Sequence, residues 1–424
     1  MRACVGPMRR VAAVLAWFAC AAALKTPMRS IVTAATRRDV VGLFAGAASL
    51  VAAAPADAAS VGATVDKRLA TLEQLLVEPT PFDRNRRSLP RPLLYGVEQL
   101  RPPVMQPYEF GAVDEVVKQL ANNCDFVVLG ARRDDVVDGF LAARLVEQLC
   151  RRTQRRVVVA LAVPPLELAP HFVEFKASAG KEPDAAISAL GNAMAGEIGV
   201  EAAQALSPVL EVAAARKLEV IPLGLGSDVI GRVQRSGDAL GALTEAERAT
   251  YLGDVGQFVD YAKEAPDFEM YVKRVVERRY DAVVPQAASA DRDSGAPSKG
   301  AYYASFILAD GAAAHLAKDY RRKQRDAPLV VVVAPEEHVK YELGLPGRLA
   351  AGGNVVSTVL LNPTPESTLS LNNQLRLELG VKKGAPVAAD FVWFSEPPKP
   401  ATLMHMMNSI DGRFKLDLGL SLGK

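Results

Sequence analysis

The residues best suited to chemistry follow a strongly apolar stretch late in the chain. The segment "VVVVAPEEHVKYELG" runs from Val330 to Gly344 and places His338 directly after an expected buried strand. The chain contains only four histidines. An imidazole at a strand end can ligate a metal or a haem iron, or act as a base. His338 is therefore the first candidate site residue, and a solvated loop histidine is the alternative.

Other strand ends offer weaker candidates. The segment "CDFVVLGARRDD" ends an expected strand at Gly130, and Arg133 follows at once. A guanidinium there suits an anion such as a propionate or a phosphate, and the alternative is a solvated charged turn. The phenols of Tyr341 and of the Tyr302–Tyr303 pair are candidate haem ligands, and the alternative for each is a core tyrosine.

Two cysteines, Cys124 and Cys150, lie beyond the leader described below. The strand from Cys124 to Gly130 and the helix from Val137 to Cys150 would each span about 20 Å, at roughly 3.3 and 1.5 Å per residue. Both thiols should then lie at the same end of the sheet, which predicts a disulfide, with two buried free thiols as the alternative. The absence of C-x-x-C and of zinc-finger spacing argues against a structural zinc site.

The first 59 residues have the composition of a targeting leader. A basic flank followed by an apolar run predicts a signal peptide over 1–24, and 25–59 predicts a transit segment with a twin-arginine signal at Arg37-Arg38 and an A-x-A cleavage site. Two signals in series resemble the leader of a complex plastid and predict import to the thylakoid lumen. The alternative is a bacterial export signal and a periplasmic protein.

Removal of this leader changes the charge of the chain. The remaining residues carry 43 basic and 46 acidic side chains, a net charge of −3. No strongly basic face is left for nucleic acid, and membrane contact is expected only during import.

The pattern of the remaining residues predicts an α/β fold with a mainly parallel sheet, helices on both faces, and an additional helical section. Apolar strands without alternation, separated by helices, are typical of a parallel sheet that is covered on both sides. We expect a helix and a Pro/Arg-rich arm over 60–114, an α/β domain over 115–362 with a disordered loop at about 285–299, and a C-terminal extension over 363–424.

The order of blocks within 115–362 resembles the ChaN-like haem-binding-uptake domain of the Tiki superfamily. The resemblance runs through "VVLGARRDDVVDGFLAARLVEQL", "RRVVVALAVPPLELAPHFVEF", "YYASFILADGAAAHLA" and "LVVVVAPEEHVKYELGLPGRL". It implies an α/β fold whose site lies at the carboxyl ends of the strands, where haem or a metal ion would bind.

The sequence departs from the family pattern at that site. Ala131 and Arg133 stand where L-G-E-x-H members have glutamate and histidine, and Ala162 stands where a further glutamate is usual. Asp310 and His338 keep the family residues. The loss of several ligands, and a fixed positive charge at one of their places, argue against a bound divalent ion.

These departures predict a degenerate, non-catalytic member of the family (a pseudoenzyme) whose most plausible cofactor is haem or a related tetrapyrrole. A structural or interaction protein without a ligand is the alternative, and a metal-dependent hydrolase is the third hypothesis. We further expect His338 to lie beside Arg133. A neighbouring guanidinium disfavours protonated imidazole, so this placement predicts neutral His338 near pH 7.

Overall fold

The computed structural model describes residues 94–98, 104–107, 110–290, 296–363, 368–371, 374–377 and 388–395. These residues belong to a compact unit that begins at Ser60. The predicted leader and the helix predicted at the start of 60–114 lie outside the described residues.

The described strands form a single sheet of ten members, in the order β5-β4-β6-β3-β7-β10-β1-β2-β9-β8. The six from β5 to β10 pair in parallel, and the remaining four pair antiparallel. Their bounds are β1 Leu94–Glu98, β2 Val104–Pro107, β3 Phe126–Ala131, β4 Val157–Pro165, β5 Glu219–Gly224, β6 Leu329–Pro335, β7 Val356–Leu361, β8 Thr368–Leu371, β9 Gln374–Leu377 and β10 Phe391–Trp393.

Helices occupy most of the connections between the strands. Their bounds are α1 Phe110–Asn123, α2 Val136–Arg152, α3 Ala169–Ser178, α4 Pro183–Ile198, α5 Val200–Arg216, α6 Ser227–Ser236, α7 Glu245–Tyr251, α8 Val255–Glu264, α9 Phe268–Tyr271, α10 Glu277–Ala290, α11 Lys299–Lys323, α12 Glu336–Val339 and α13 Leu345–Ala350. A π-helical turn, Val272–Val276, joins α9 to α10. Asp135, Thr244, Asp254 and Ser298 cap four of the helices through their side-chain oxygens.

Both faces of the sheet are buried, as strand β3 shows residue by residue. Val127 and Leu129 lie in a core cluster with the helices α1 to α5, which we call the first layer. Phe126 and Val128 lie in a second cluster with α9 and α11 to α13, which we call the second layer. A fully apolar strand is needed because its side chains alternate between two dry faces. The predicted α/β fold class is confirmed.

The additional helical section is also present. Helices α6 and α7 pack against α11 through a third core cluster that includes Val229, Val233, Tyr251 and Leu308. No helix within the described ranges combines the length and the apolar character needed to cross a membrane.

Two stretches expected to be irregular contain regular structure. Helix α10 continues to Ala290 and α11 begins at Lys299, so both ends of the loop predicted over 285–299 are helical. Strands β1 and β2 lie in the stretch interpreted as an arm. Strands of four or five residues in a Pro-rich sequence are too short to show a clear periodicity. The C-terminal extension also contributes β8, β9 and β10 to the sheet.

Candidate functional site

The segment that carries His338 packs directly on strand β3. Helix α12 starts as β6 ends, and Gly130 lies beneath it. A Cβ atom at Gly130 would lie 3.3 Å from the Cα atom of Glu336 and 3.2 Å from the Cβ atom of Val339. Helix α12 can approach the sheet this closely because Gly130 has no side chain.

His338 is held in place by a buried carboxylate on the long helix α11. Its Nδ1 atom lies 2.8 Å from Oδ1 of Asp310, and Asp310 is only 2% exposed. The hydroxyl of Tyr271 donates to Oδ2 of the same carboxylate over 2.8 Å. Asp310 thus connects α9 to α12 by accepting a hydrogen bond at each of its two oxygens.

This carboxylate controls the charge of the imidazole. Burial lowers the pKa of His338, but the negative charge of Asp310 and its hydrogen bond outweigh burial, so the pKa lies above its ordinary value. Glu337 raises the pKa further and Arg279 lowers it. The expectation that a neighbouring guanidinium lowers the pKa of His338 is corrected, because its partner is a carboxylate that raises this pKa.

Tyr271 stays protonated because its surroundings raise its pKa. Burial, the charge of Asp310 and the hydrogen bond to it raise the pKa of Tyr271 well above its ordinary value. A protonated phenol is a hydrogen-bond donor, which is the role the carboxylate requires.

One face of the imidazole is covered and one nitrogen remains available. The ring of His338 stacks on Phe306 with 4.0 Å between the centroids and 13° between the planes. Its Nε2 atom forms no hydrogen bond with any described residue, and 18% of its side-chain surface is exposed. Because Asp310 holds Nδ1, the nitrogen that can meet a ligand is Nε2.

Aromatic rings continue outward from Phe306. Tyr302 lies 6.1 Å from Phe306 and Tyr280 lies 5.4 Å from Tyr302, between ring centroids. The rings are inclined to one another by 40° and 66°, and Phe306 is buried, so they form a packed aromatic cluster next to His338. Tyr303, the neighbour of Tyr302, has a buried hydroxyl with no hydrogen-bond partner in the part of the chain that the structure describes.

Tyr341 does not fit the role of an axial ligand. It is 1% exposed and belongs to the second-layer core, and its backbone N–H donates to the carbonyl of Ala388 over 2.9 Å. Its φ of 65° and the φ of 58° at Glu342 are positive, which costs energy for residues other than glycine. This backbone follows His338 by only a few residues, so strain lies beside the candidate site.

A buried guanidinium also feels the charge of Asp310. Arg348 is 4% exposed and lies between the rings of Phe258 and Tyr261, at 4.7 and 4.6 Å from their centroids. Its Nε and Nη2 atoms have no partner among the described residues. Burial lowers the pKa of Arg348, and the carboxylate of Asp310 opposes that effect.

Arg133 lies elsewhere, which corrects the expectation that it faces His338. Its Nη2 atom donates to the carbonyl of Ile198 in the first layer. A cavity of about 20 Å³ lies beside it, roughly the room for a single water molecule. The cation near His338 is Arg279, whose Nε atom lies 3.2 Å from the Glu337 carboxylate. The expectation failed because side chains along a strand alternate between the two faces of the sheet. The side chain of a residue just beyond a strand end can therefore lie on either face.

The charged turn after β3 is a structural network. Asp138 is fully buried and accepts hydrogen bonds from the Arg132 guanidinium, at 2.8 and 3.0 Å. Asn362 donates to Asp138 over 2.8 Å, and it accepts from the backbone and hydroxyl of Ser395. This network ties β3, α2, β7 and β10 together at the carboxyl edge of the sheet.

The predicted disulfide is absent. Cys124 and Cys150 are both free thiols. Cys150 lines a cavity between α2, α5 and the start of β4, whereas Cys124 is buried in the first-layer core. Burial raises the pKa of each thiol to about 12. The length estimate located both residues at one end of the sheet but could not fix the direction in which a helical side chain points.

No group of three or more histidine, cysteine or carboxylate side chains that could hold a metal ion occurs within the described ranges. Ala162 lies on β4 against the second-layer core, so a methyl group stands where the family pattern has a carboxylate. Sequence reasoning placed Asp310 and His338 at the site but missed Tyr271, Phe306 and Arg348. A buried aspartate in an otherwise apolar helix was the available signal, because such a carboxylate requires partners.

The family of the chain follows from comparison with known protein families. No curated protein matches the chain. Among solved structures, ChaN of Campylobacter jejuni with cofacial haem is 12% identical, covers 70% of this chain and 96% of its own, and has a TM-score of 0.44. A mutant of the erythromycin esterase EreC is 11% identical, covers 72% of this chain and 98% of its own, and has a TM-score of 0.38. The family described as "Haem-binding uptake, Tiki superfamily, ChaN" matches residues 116–349, more than half of the chain, and the protein belongs to that family.

Proposed function

We propose that this protein is a non-catalytic ChaN-family protein that binds haem or a related tetrapyrrole, with His338 as an axial ligand. The observation that carries the proposal is the state of the imidazole. Asp310 fixes Nδ1 and leaves Nε2 without a hydrogen bond to any described residue, on a side chain that is 18% exposed. Histidines that ligate metals commonly have their second nitrogen held in this way by a carboxylate.

The surroundings of His338 suit the rest of a tetrapyrrole. Tyr302 is half-buried beside the buried Phe306, and its ring can contact the edge of a flat ring system. Arg279 is 42% exposed at its side chain and lies beside Glu337, where its guanidinium can also meet a propionate. One axial nitrogen, an apolar surface and a peripheral cation are the elements that haem binding requires.

The non-catalytic part of the proposal rests on what replaces the family's ligands. Ala131 and Ala162 carry no ligand atoms, and Arg133 is bonded to a first-layer carbonyl. A hydrolytic metal centre needs several oxygen or nitrogen ligands and a base for water. His338 and Asp310 alone do not provide that set. The location in the thylakoid lumen is a further part of the proposal, and it is supported by the twin arginine at Arg37-Arg38.

The test is a haemin titration of the protein without its leader, followed by absorbance. We expect a stoichiometric shift of the Soret band for the wild-type protein. His338→Ala should weaken binding by at least tenfold, because loss of one strong ligand interaction worth about 1.4 kcal/mol already gives tenfold. His171→Ala is the matched control, since His171 is exposed on α3 in the first layer and should leave affinity unchanged.

Three results would redirect the proposal. Equal affinities for wild type and His338→Ala would exclude His338 as the ligand and make Tyr302 the next residue to test. No spectral shift with haemin or with an iron-free porphyrin would favour a structural or interaction protein without a ligand. Stoichiometric zinc or manganese that is lost in His338→Ala would support a metal-dependent hydrolase instead.

A further inference from the structure

A second cavity lies at the amino-terminal edge of the sheet, at the opposite ends of the strands from His338. It has a volume of about 360 Å³ and is formed where α2 and α5 end, where β4 and β5 begin, and along α3. That volume is in the range of about 300–1,000 Å³ found for small-molecule sites. Its lining residues are Cys150, Arg155, Arg156, Val157, Lys176, Arg216, Lys217, Leu218 and Glu219.

The charges around this cavity do not balance. Five cations line it, and three carboxylates bond directly to them. Arg156 pairs with Glu219 and Asp326, Lys176 shares Glu219, and Arg216 pairs with Glu147. Two cations, Arg155 and Lys217, therefore remain without a carboxylate of their own.

Arg155 is held by neutral groups. Its guanidinium donates to the carbonyls of Cys124, Ala327 and Pro328, at 2.6, 3.1 and 3.3 Å. The nearest carboxylate oxygen, on Asp125, lies 3.9 Å away and already bonds to Arg321. Burial and the charge of Arg321 lower the pKa of Arg155. These contacts fix the position of the guanidinium while leaving its charge largely uncompensated.

Lys217 has no hydrogen bond or ion pair at Nζ with any residue in the described part of the chain. It ends α5 with a φ of 53°, and its backbone N–H bonds to the carbonyl oxygens of Ala213 and Ala214. The backbone of Lys217 therefore terminates the helix while its exposed ammonium remains available at the cavity.

Helix dipoles account for only part of this charge. Two helices, α2 and α5, end in the cavity wall, and each contributes roughly half a negative charge at its carboxyl end. About one negative charge in total is smaller than the excess of two positive charges. A cluster that served only to cap helices would not need both Arg155 and Lys217.

We propose that this amino-edge cavity binds a phosphate group, either of a soluble phosphate ester or of a lipid headgroup. A phosphate dianion matches the two uncompensated charges, and Arg and Lys are the side chains that bind phosphate in proteins. Val157 and Leu218 provide apolar contact for the organic part of such a ligand. The site is separate from His338 and does not depend on haem binding.

The test is a calorimetric titration of the protein without its leader with inorganic phosphate, at constant ionic strength set with sodium chloride. We expect saturable binding of one phosphate per chain. Lys217→Asn should weaken it about five- to tenfold, because a charged hydrogen bond is lost. Asparagine tolerates the left-handed backbone at this position, so the variant should fold. Lys263→Gln, which removes an exposed lysine 3.7 Å from Asp260 on α8, is the matched control.

The source of the phosphate is then distinguished by competition. Displacement by glycerol phosphate but not by phosphatidic-acid vesicles would support a soluble ester, and the reverse would support a lipid. Absence of saturable phosphate binding would overturn the proposal. Equal weakening in Lys217→Asn and Lys263→Gln would also overturn it, since the effect would then reflect net charge alone.

Discussion

The imidazole of His338 and the carboxylate of Asp310 meet over 2.8 Å, although they lie 28 residues apart in the chain. One stands on the short helix after β6, and the other is on the long helix α11. Asp310 is almost fully buried, and its two carboxylate oxygens accept hydrogen bonds from this neighbour and from Tyr271. The pair therefore links the chemistry of the candidate site to the stability of the fold.

The first prediction concerns stability and pH. The pKa of His338 is raised in the folded protein, so its protonation stabilises the fold below the unfolded pKa of about 6.5 and this contribution is lost as pH rises through the folded value. We expect the difference in unfolding free energy between wild type and His338→Gln to be largest near pH 6 and to shrink toward pH 9. Urea denaturation of the haem-free protein at several pH values measures it.

The matching control for this prediction is the same comparison in an Asp310→Asn background. Removal of the carboxylate removes the main cause of the raised pKa of His338. The decrease toward high pH should then disappear. A decrease that persists without Asp310 would mean that Glu337 controls the imidazole.

The second prediction concerns ligand affinity. Asp310→Asn should weaken haemin binding about 10- to 100-fold, the usual effect of losing the partner of a metal-ligating histidine. Glu211→Gln is a suitable control on α5, in the first layer, and should leave the titration unchanged. Wild-type affinity in Asp310→Asn would show that Asp310 serves the fold and not the ligand.

The same arrangement predicts the pH dependence of binding. A proton on His338 competes with iron for Nε2, and its raised pKa extends this competition to higher pH than for a free imidazole. Haemin affinity should therefore fall as pH decreases through that pKa. An affinity that does not change between about pH 5 and 9 would argue against coordination by this residue.

The third prediction tests the approach of α12 to the sheet. Gly130→Ala should destabilise the protein by about 1–3 kcal/mol, because the new Cβ atom would meet Leu360 at 2.6 Å and the backbone of Glu336 at 3.3 Å. Gly191→Ala is the control. It lies within α4 with nothing within 4 Å of the added atom, so it should stabilise the helix by about 0.5–1 kcal/mol. Thermal denaturation distinguishes the two variants.

The fourth prediction concerns the network at Asp138. Asp138→Ala should cost about 2–3 kcal/mol in unfolding free energy, because it leaves Arg132 and Asn362 without their shared acceptor. Partial exposure of Arg132 limits the loss. Asp134→Ala removes an exposed neighbour and should change stability by less than about 0.5 kcal/mol. Similar losses in both variants would refute a special role for the buried carboxylate.

The fifth prediction concerns the leader, which lies outside the described residues. Replacement of Arg37 and Arg38 by lysine should prevent delivery to the thylakoid lumen and leave the precursor in the plastid stroma, as fractionation would show. A lumenal double mutant would indicate another route of export or another location.

The fold class could be predicted because its signal is local and repeated. Strand β6, for example, is apolar at every position from Val330 to Val333. A strand without polar residues is needed only where both faces of the sheet are covered. Strands β1 and β2 were not predicted, because each is stabilised by a partner far away in the sequence. β1 pairs with β10, and β2 pairs with β9.

The site could be predicted in part. His338 and Asp310 were recognised from their places in the family blocks. Their contact, and the position of Arg133 away from His338, depend on which face of the sheet each side chain lies on. Tyr271 comes from α9, ahead of a π-helical turn that no periodicity in the sequence reveals. Contacts of this kind are set by tertiary packing, and one sequence does not encode them in a readable pattern.

The pairing of β1 with β10 has a consequence for the order in which the protein folds during synthesis. Leu94 is paired with Trp393, so the first described strand waits for residues that leave the ribosome nearly 300 positions later. Until β10 is made, β7 presents an unpaired edge and β1 has only β2 beside it. Contacts of such high sequence separation form slowly. The nascent chain therefore keeps an open, aggregation-prone sheet edge until β10, Phe391–Trp393, has been synthesised, and a chaperone would act in that interval.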